Sequence, residues 1–298
     1  MSTFKKVSLA LLPLVLLGLL VGGVGCARNR SQESGPTVVL LTDFGTVGYR
    51  VPQLKGNIFS KYPDAKVVDI THELPAFDVP TGAYELSVAA NEFPSGFVFV
   101  AVVAPGDSTT NQRFLVATSN KDQVFVVPDN GLITYIARET GLKSVYQVGQ
   151  QLLTGRMEDL SVTKVLGQAG GLVASGIKLE QFGPAVTDAK MLDIQAPRIQ
   201  GNKLTGAIVF VDNFGNSPTN ISREMAQSFG LKKGDTVVVS AGGKSVTAMF
   251  GNIYSDVPKG DPIVFVNSLQ VVELSINIGN FAGTHGLKAG AGIEIARK

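Results

Sequence analysis

Five residues between positions 38 and 84 have side chains suited to chemistry: Asp43, Asp69, Thr71, His72 and Phe77. Two of them mark the ends of short apolar runs. Val38–Leu41 stops at Thr42-Asp43-Phe44-Gly45, and Lys66–Ile70 carries Asp69 just before Thr71 and His72. A carboxylate at a strand end can accept from two vicinal hydroxyls at once, which is the chemistry of ribose recognition. An aromatic ring nearby can stack on a purine or a sugar face. Each residue taken alone also fits a plainer role: Asp43 as a turn cap, His72 as hydrogen-bonded packing, Phe77 as core. Three further polar clusters follow. Pro128-Asp129-Asn130-Gly131 is by itself a strong turn. Asp212-Asn213-Phe214-Gly215-Asn216 and the residues to Ile221 put an acid, an aromatic and several amides into one connection. Asn267, Ser268 and Glu273 lie at the start of a late strand, where a solvated edge Glu is the alternative.

The elements that must position these residues follow from periodicity. The runs at 38–41 and 66–70, separated by a helical stripe of Val51, Leu54 and Ile58 over 49–61, predict a strand–helix–strand unit with parallel strands. Ligands in such sheets bind beyond the carboxyl ends of the strands. A second helix is predicted over 80–93 and a doubly buried strand over 97–103. A hairpin follows over 114–127, then a helix ending at Gly141, a strand over 144–148 and a weaker helix within 157–176. The pattern loosens around 182–198, which places a boundary there. Beyond it come short strands over 204–211, 235–240, 244–250, 262–266, 270–276 and 291–296, with a Gly242-Gly243 hairpin signal and no long helix. The expected fold is α/β: an N-terminal α/β domain over 37–192 with a largely parallel sheet, and a small β-barrel over 193–298.

The chain of 298 residues is 44% hydrophobic and 17% charged, enough for two modest domains with cores. A net charge of +2 with no basic stripe excludes a nucleic-acid partner. One cysteine and two histidines exclude an internal disulfide, a cysteine zinc cluster and a multi-histidine metal site. Lys5 and Lys6 precede an apolar run to Leu20 and then small residues up to Cys26, a layout that resembles a bacterial lipoprotein signal over 1–26. Cys26 would be the lipidated residue, Ala27–Pro36 a polar tether, and the protein an exported, membrane-anchored member of the cell envelope. Gly23 stands where a Leu is usual, and an uncleaved anchor helix is the alternative.

Taken in order, TDFG (42–45), the run from KGNI through YPDAKVVDITHELPAFDV (55–79), GAY (82–84), FPSG-FVFVAVV (93–103), VPDNGLIT (127–134), VDNFGNSPTNI (211–221) and the tail over 267–290 resemble the S-adenosylmethionine hydroxide adenosyltransferase family, the adenosine-forming hydrolases related to fluorinases and chlorinases. The resemblance covers essentially everything after residue 36. It implies hydrolysis of S-adenosylmethionine to adenosine and methionine, with no cofactor or metal. It also implies a homotrimer whose site lies between one subunit's N-terminal domain and its neighbour's C-terminal domain. By position, Asp43 would hold the ribose hydroxyls, Phe77 the nucleoside wall, and Phe214 and Asn216 the adenine side. Asp212, Ser268 and Glu273 would take the methionine ammonium and carboxylate, Asn130 belongs to the ligand-side motif, and Asp69 would help activate water.

The chain departs from the family pattern in three places. The basic partner of that acid falls on Ala76, the acid of the loop after Val103 falls on Ala104 with Asp107 as a stand-in, and the catalytic His has no clear counterpart. Arg113 and Arg156 are candidates to restore the missing charge. The short connection from Phe114 to Pro128, where fluorinase-like members carry an insertion, argues against a halogenase. A lipid-anchored protein that binds a nucleoside or S-adenosylmethionine without turnover is the alternative function.

Overall fold

The computed structural model describes residues 35–298 apart from 107, 108 and 110. The predicted signal segment, Cys26 and Asp107 lie outside the described residues. The first half contains β1 (Val38–Thr42), α1 (Arg50–Lys61), β2 (Val67–Thr71), α2 (Val79–Glu92), β3 (Val98–Val102), β4 (Phe114–Ser119), β5 (Val124–Pro128), β6 (Leu142–Gln147) and α3 (Val162–Ala174). The second contains β7 (Arg198–Gln200), β8 (Lys203–Ala207), β9 (Ser217–Ser222), α4 (Arg223–Ser228), β10 (Thr236–Ala241), β11 (Lys244–Phe250), β12 (Pro262–Val266), β13 (Val271–Ile276), α5 (Phe281–His285) and β14 (Gly292–Arg297).

The fold is α/β, but the first sheet is mixed rather than largely parallel. Its order is β2-β1-β3-β5-β4-β6, with β2, β1, β3 and β5 parallel and β4 antiparallel to both β5 and β6. The reversal is forced at β4–β5, where a tight turn closes with Ser119 N–H donating to Gln123 O at 2.9 Å. A link that short can join only antiparallel strands. Both faces of this sheet are covered, which explains the unbroken apolar runs. Val38 and Leu40 of β1 face one core with Val98, Val100 and Val102 of β3, while Val39 and Leu41 face the other with Phe99 and Ala101.

The second sheet has the order β7-β8-β14-β10-β11-β12-β13-β9 and is curled into a half-barrel. The small barrel expected from the sequence is not closed by a continuous ladder. β8 and β9 meet through the isolated Ile208–Thr219 bridge, with Val209 N–H donating to Pro218 O, and through an Ala207 N–H bond to Asn220 Oδ1. Val209 also reaches into the first half's core, and Phe210 stacks on Tyr84 at 6.3 Å. The predicted helix after Gly131 is present over 134–140 and ends before Gly141, its last five residues, Ile136–Thr140, wound as one wide turn.

Two devices fix the layers. On one face α3 packs against α1 through glycines: a Cβ at Gly167 would stand 2.8 Å from Leu54 O, and one at Gly171 2.5 Å from Ile58 O. Only hydrogen at those positions lets the two backbones approach. At the sheet's end Arg113 clamps the segment that leads to the second half. Its guanidinium bonds Asp129, whose side chain is 1% exposed, at 2.6 Å and Asp188 at 2.7 Å, and Asp129 Oδ1 accepts from Lys190 N–H. The PDNG turn is thus a seat for that segment.

Gly171→Ala should cost about 1–3 kcal/mol of stability through overpacking against the α1 carbonyl. Urea unfolding would show it as a lowered midpoint at unchanged slope, whereas an unaltered midpoint would mean that α1 and α3 do not pack as described.

Candidate active site

The carboxyl ends of β1, β2 and β3 converge, and Asp43 stands where they meet. It directly follows β1, and its Oδ2 accepts two backbone N–H bonds, from Phe77 and from Ala104, each at 3.0 Å. Both donors sit at positive φ, +65° for Phe77 and +44° for Ala104, a left-handed conformation that side chains other than glycine seldom adopt. The carboxylate therefore holds two strained turns, the one after β2 and the one after β3. Its Oδ1 has no partner among the described residues. Asn130 grips the second turn from behind, with Nδ2 donating to Val103 O at 2.8 Å and Ala104 O at 3.3 Å. Asn130 is thus a backbone clamp, and the loop at Ala104 is organised through its main chain rather than through a side-chain acid. Phe77, freed by its turn, presents a ring that is 78% exposed.

Asp69, on β2, takes a different partner from those anticipated. Lys55, on the neighbouring α1, donates to Asp69 Oδ2 at 2.6 Å. Arg113 is held by Asp129 and Asp188, and Arg156 by Glu158, so neither replaces the charge missing at Ala76. His72 Nε2 lies 3.3 Å from Asp69 Oδ1 but off hydrogen-bond geometry, and it is the one buried side-chain nitrogen or oxygen without a bond among the described residues. The ring is 6% exposed, and its Nδ1 is 2.9 Å from Thr42 Oγ1. A chain of polar contacts thus runs Lys55–Asp69–His72–Thr42 and ends beside Asp43. The loops carrying these residues are stitched together: Gly45 N–H donates to His72 O at 2.7 Å, and Thr46 N–H donates to Glu73 Oε1 at 2.7 Å. The Thr46 bonds hold the Glu73 carboxyl below the usual carboxylate range.

The C-terminal residues form a second cavity of about 680 Å³. Asp212 Oδ1 accepts from Phe214 N–H at 2.9 Å and Asn216 N–H at 2.8 Å, and its Oδ2 accepts from Asn216 Nδ2. That turn needs Gly215 at φ +84°, where a Cβ would collide with Asn280. It ejects Phe214, whose ring is 76% exposed. Asp212, Phe214 and Asn216 share the cavity wall with Tyr254 and the segment 276–280.

Ser268 and Glu273 are not part of that wall. Ser268 lies exposed in the β12–β13 turn. Glu273 is 5% exposed, and its oxygens are filled by Tyr254 Oη (2.9 Å), Ser275 Oγ (3.0 Å) and Asn267 Nδ2 (2.9 Å). Its work is to hold Tyr254 in the wall, and burial together with the Glu273 acceptor raises the Tyr254 phenol above its ordinary value. Lys55, Tyr254 and Ile278 were missed from sequence. Lys55 sits one helix away from its partner, and the others gave no signal beyond a loose turn. Among the described residues no group of three or more His, Cys, Asp or Glu side chains could hold a metal ion.

Comparison with known proteins accords with this geometry. Residues 38–183 match the SAM hydroxide adenosyltransferase N-terminal domain, and residues 206–294 match the C-terminal domain of the same family. An (R)-S-adenosyl-L-methionine hydrolase from Methanocaldococcus jannaschii is 30% identical over 249 residues, covering 80% of this chain and 87% of the relative. A fluorinase from Actinopolyspora mzabensis is 26% identical over 294 residues, covering 89% and 98%. The crystal structure of an uncharacterized conserved protein from Thermotoga maritima superposes with a TM-score of 0.80 at 29% identity, over 88% of this chain and all of that one. With both domain models matched in order across the two sheets, the chain belongs to the SAM hydroxide adenosyltransferase family.

Proposed function

We propose that the protein hydrolyses S-adenosylmethionine to adenosine and methionine by attack of water or hydroxide at ribose C5′. The observation that carries this is Asp43. A carboxylate at the strand ends spends one oxygen on holding an exposed aromatic in a strained turn, and its other oxygen has no partner among the described residues. That pairing suits a nucleoside, with the 2′- and 3′-hydroxyls on Oδ1 and a face of the ligand on Phe77. Attack at C5′ expels neutral methionine sulfur from a sulfonium, so positive charge disperses as the bond breaks. Exposed rings such as Phe77 and Phe214 stabilise the sulfonium by cation–π attraction once water is excluded. Asp69, bonded to Lys55, accepts a proton or hydrogen bond from the attacking water, and in-line positioning supplies the rest.

The complete site is shared between copies in a homotrimer. The cavity at Phe214 is built wholly from residues 212–280, and the cavity beside Asp43 wholly from residues 44–163. Two exposed rings on separate half-sites call for a neighbour to bring them onto one ligand. Light scattering of the purified protein should give three times the chain mass, and a fully active monomer would remove the shared site.

Binding without turnover is the second reading, favoured by the engagement of Asp69 with Lys55 and the proximity of His72. Incubation of the protein with S-adenosylmethionine, followed by chromatography, should yield adenosine in step with methionine. Tight binding with no product would select the second reading.

Asp43→Ala should weaken adenosine binding by about 1.5–3 kcal/mol, the range for a hydrogen bond to a charged group. Equal affinity by calorimetry would take Asp43 out of the site. Asp69→Asn should lower kcat by about 100-fold, within the range for a lost general base, while sparing KM. Undiminished kcat would reassign Asp69 to holding α1 against β2.

A further inference from the structure

A third cavity, of about 390 Å³, opens where α4 meets the ends of β11 and β12. It shares no wall residue with the cavity beside Asp43 or with the one at Phe214. Its floor is apolar: Ala226, Leu231 and Phe250 belong to the core of the second half, and Val266 packs against that core. Its rim carries three cations, Arg223, Lys232 and Lys233, with the amides of Gln227 and Asn252 and no acid. The loop with the two lysines is docked at both ends. Leu231 N–H donates to Ala226 O at 3.1 Å, and Gly234 N–H donates to Phe250 O at 2.9 Å.

The nearby acids lie outside this wall and are already engaged. Asp256 Oδ2 accepts from Asn252 N–H at 2.8 Å, and its Oδ1 accepts from Lys233 Nζ at 2.7 Å. Asp235 Oδ2 accepts from Lys232 N–H at 3.0 Å. Glu224 is held below the usual carboxylate range by its own backbone N–H and the Ser222 hydroxyl. The cations have donors left over. Arg223 Nε bonds Gln270 Oε1, which sets the plane of the guanidinium, and its two terminal nitrogens make no bond among the described residues. Lys233 spends one ammonium proton on Asp256 and has two more. The Lys232 ammonium makes no bond or ion pair among the described residues.

We propose that this cavity binds a phosphate monoester, with the phosphate on Arg223, Lys232 and Lys233 and the organic part on the apolar floor. A guanidinium met end-on gives a phosphate two parallel N–H bonds. The two ammonium groups beside it match the further oxygen and the second negative charge of a monoester, which a carboxylate lacks. The volume lies within the range that small ligands occupy. A soluble ester and a phospholipid with a terminal phosphate present this same group. The site is independent of the hydrolase reading.

The test is calorimetry on the full chain with glycerol 3-phosphate and with glycerol, beside sedimentation with phosphatidylcholine vesicles containing or lacking phosphatidic acid. Binding of glycerol 3-phosphate with glycerol inert identifies a soluble ester, and sedimentation that requires phosphatidic acid identifies a headgroup. Arg223→Gln should weaken whichever probe binds by about 10- to 100-fold, as for a lost charged hydrogen bond. Lys232→Gln should weaken it by about 2- to 5-fold, as for an exposed ion pair. Saturating adenosine should leave the affinity unchanged, and an unaltered urea midpoint reports that each variant has folded. No binding of either phosphate probe, full affinity in both variants, or displacement by adenosine would overturn the site. Each of those results would leave the hydrolase reading standing.

Discussion

The candidate site depends on one carboxylate oxygen that accepts two backbone N–H groups. Left-handed backbone at Phe77 and Ala104 costs on the order of 1–3 kcal/mol at each position. It persists because Asp43 Oδ2 meets both N–H groups and Asn130 meets the carbonyl beyond one of them. Without such partners both turns would relax, and the Phe77 ring would lose the exposed position that suits a ligand. Strain, an oxygen with no partner among the described residues and an unburied aromatic are concentrated within three loops. The sheet beneath them, covered on both faces, supplies the rigidity against which that strain is held.

The surroundings keep this arrangement fixed with few charges. Close approach of α1 and α3 depends on glycine, and α1 in turn places Lys55 over Asp69 and Arg50 over Phe44. One helix thus carries both Lys55, which bonds Asp69 at 2.6 Å, and Arg50, which has no acid within ion-pair distance among the described residues. The C-terminal half-site reverses the sign, with Asp212 holding its own turn and no cation beside it.

Much of the first half was legible from the sequence because its strands are buried on both faces and read as unbroken apolar runs. Asp43 and Phe77 stood out for the same reason, being polar or aromatic residues placed where those runs stop. The direction of β4 was harder to extract, since an apolar run does not say which way it points; only the short link at Ser119–Gln123 decides it. β9 was hidden for another reason. Ser217, Pro218, Thr219 and Asn220 look like a connection, yet Ser217 and Thr219 are fully buried, with the Thr219 hydroxyl donating to Val272 O. An edge strand tolerates the proline, which has no N–H to give to a ladder. Lys55 was invisible as a partner of Asp69 because the pair is made in space, from helix to strand.

The departures from the family pattern become less severe in this light. At Ala104 an acid has been lost, but the turn needs a backbone donor to Asp43 and a carbonyl for Asn130, and alanine supplies both. At Ala76 a cation has been lost, but Asp69 is not left alone, since Lys55 reaches it from α1. The third absence, that of a clear catalytic histidine, is offset only in part: His72 lies beside Asp69, yet its Nε2 faces no partner and its Nδ1 is turned to Thr42. A buried ring with one unsatisfied nitrogen next to a carboxylate is costly unless something else uses it. The charge missing at Ala76 is thus supplied to Asp69 by Lys55, from the helix instead of from the loop.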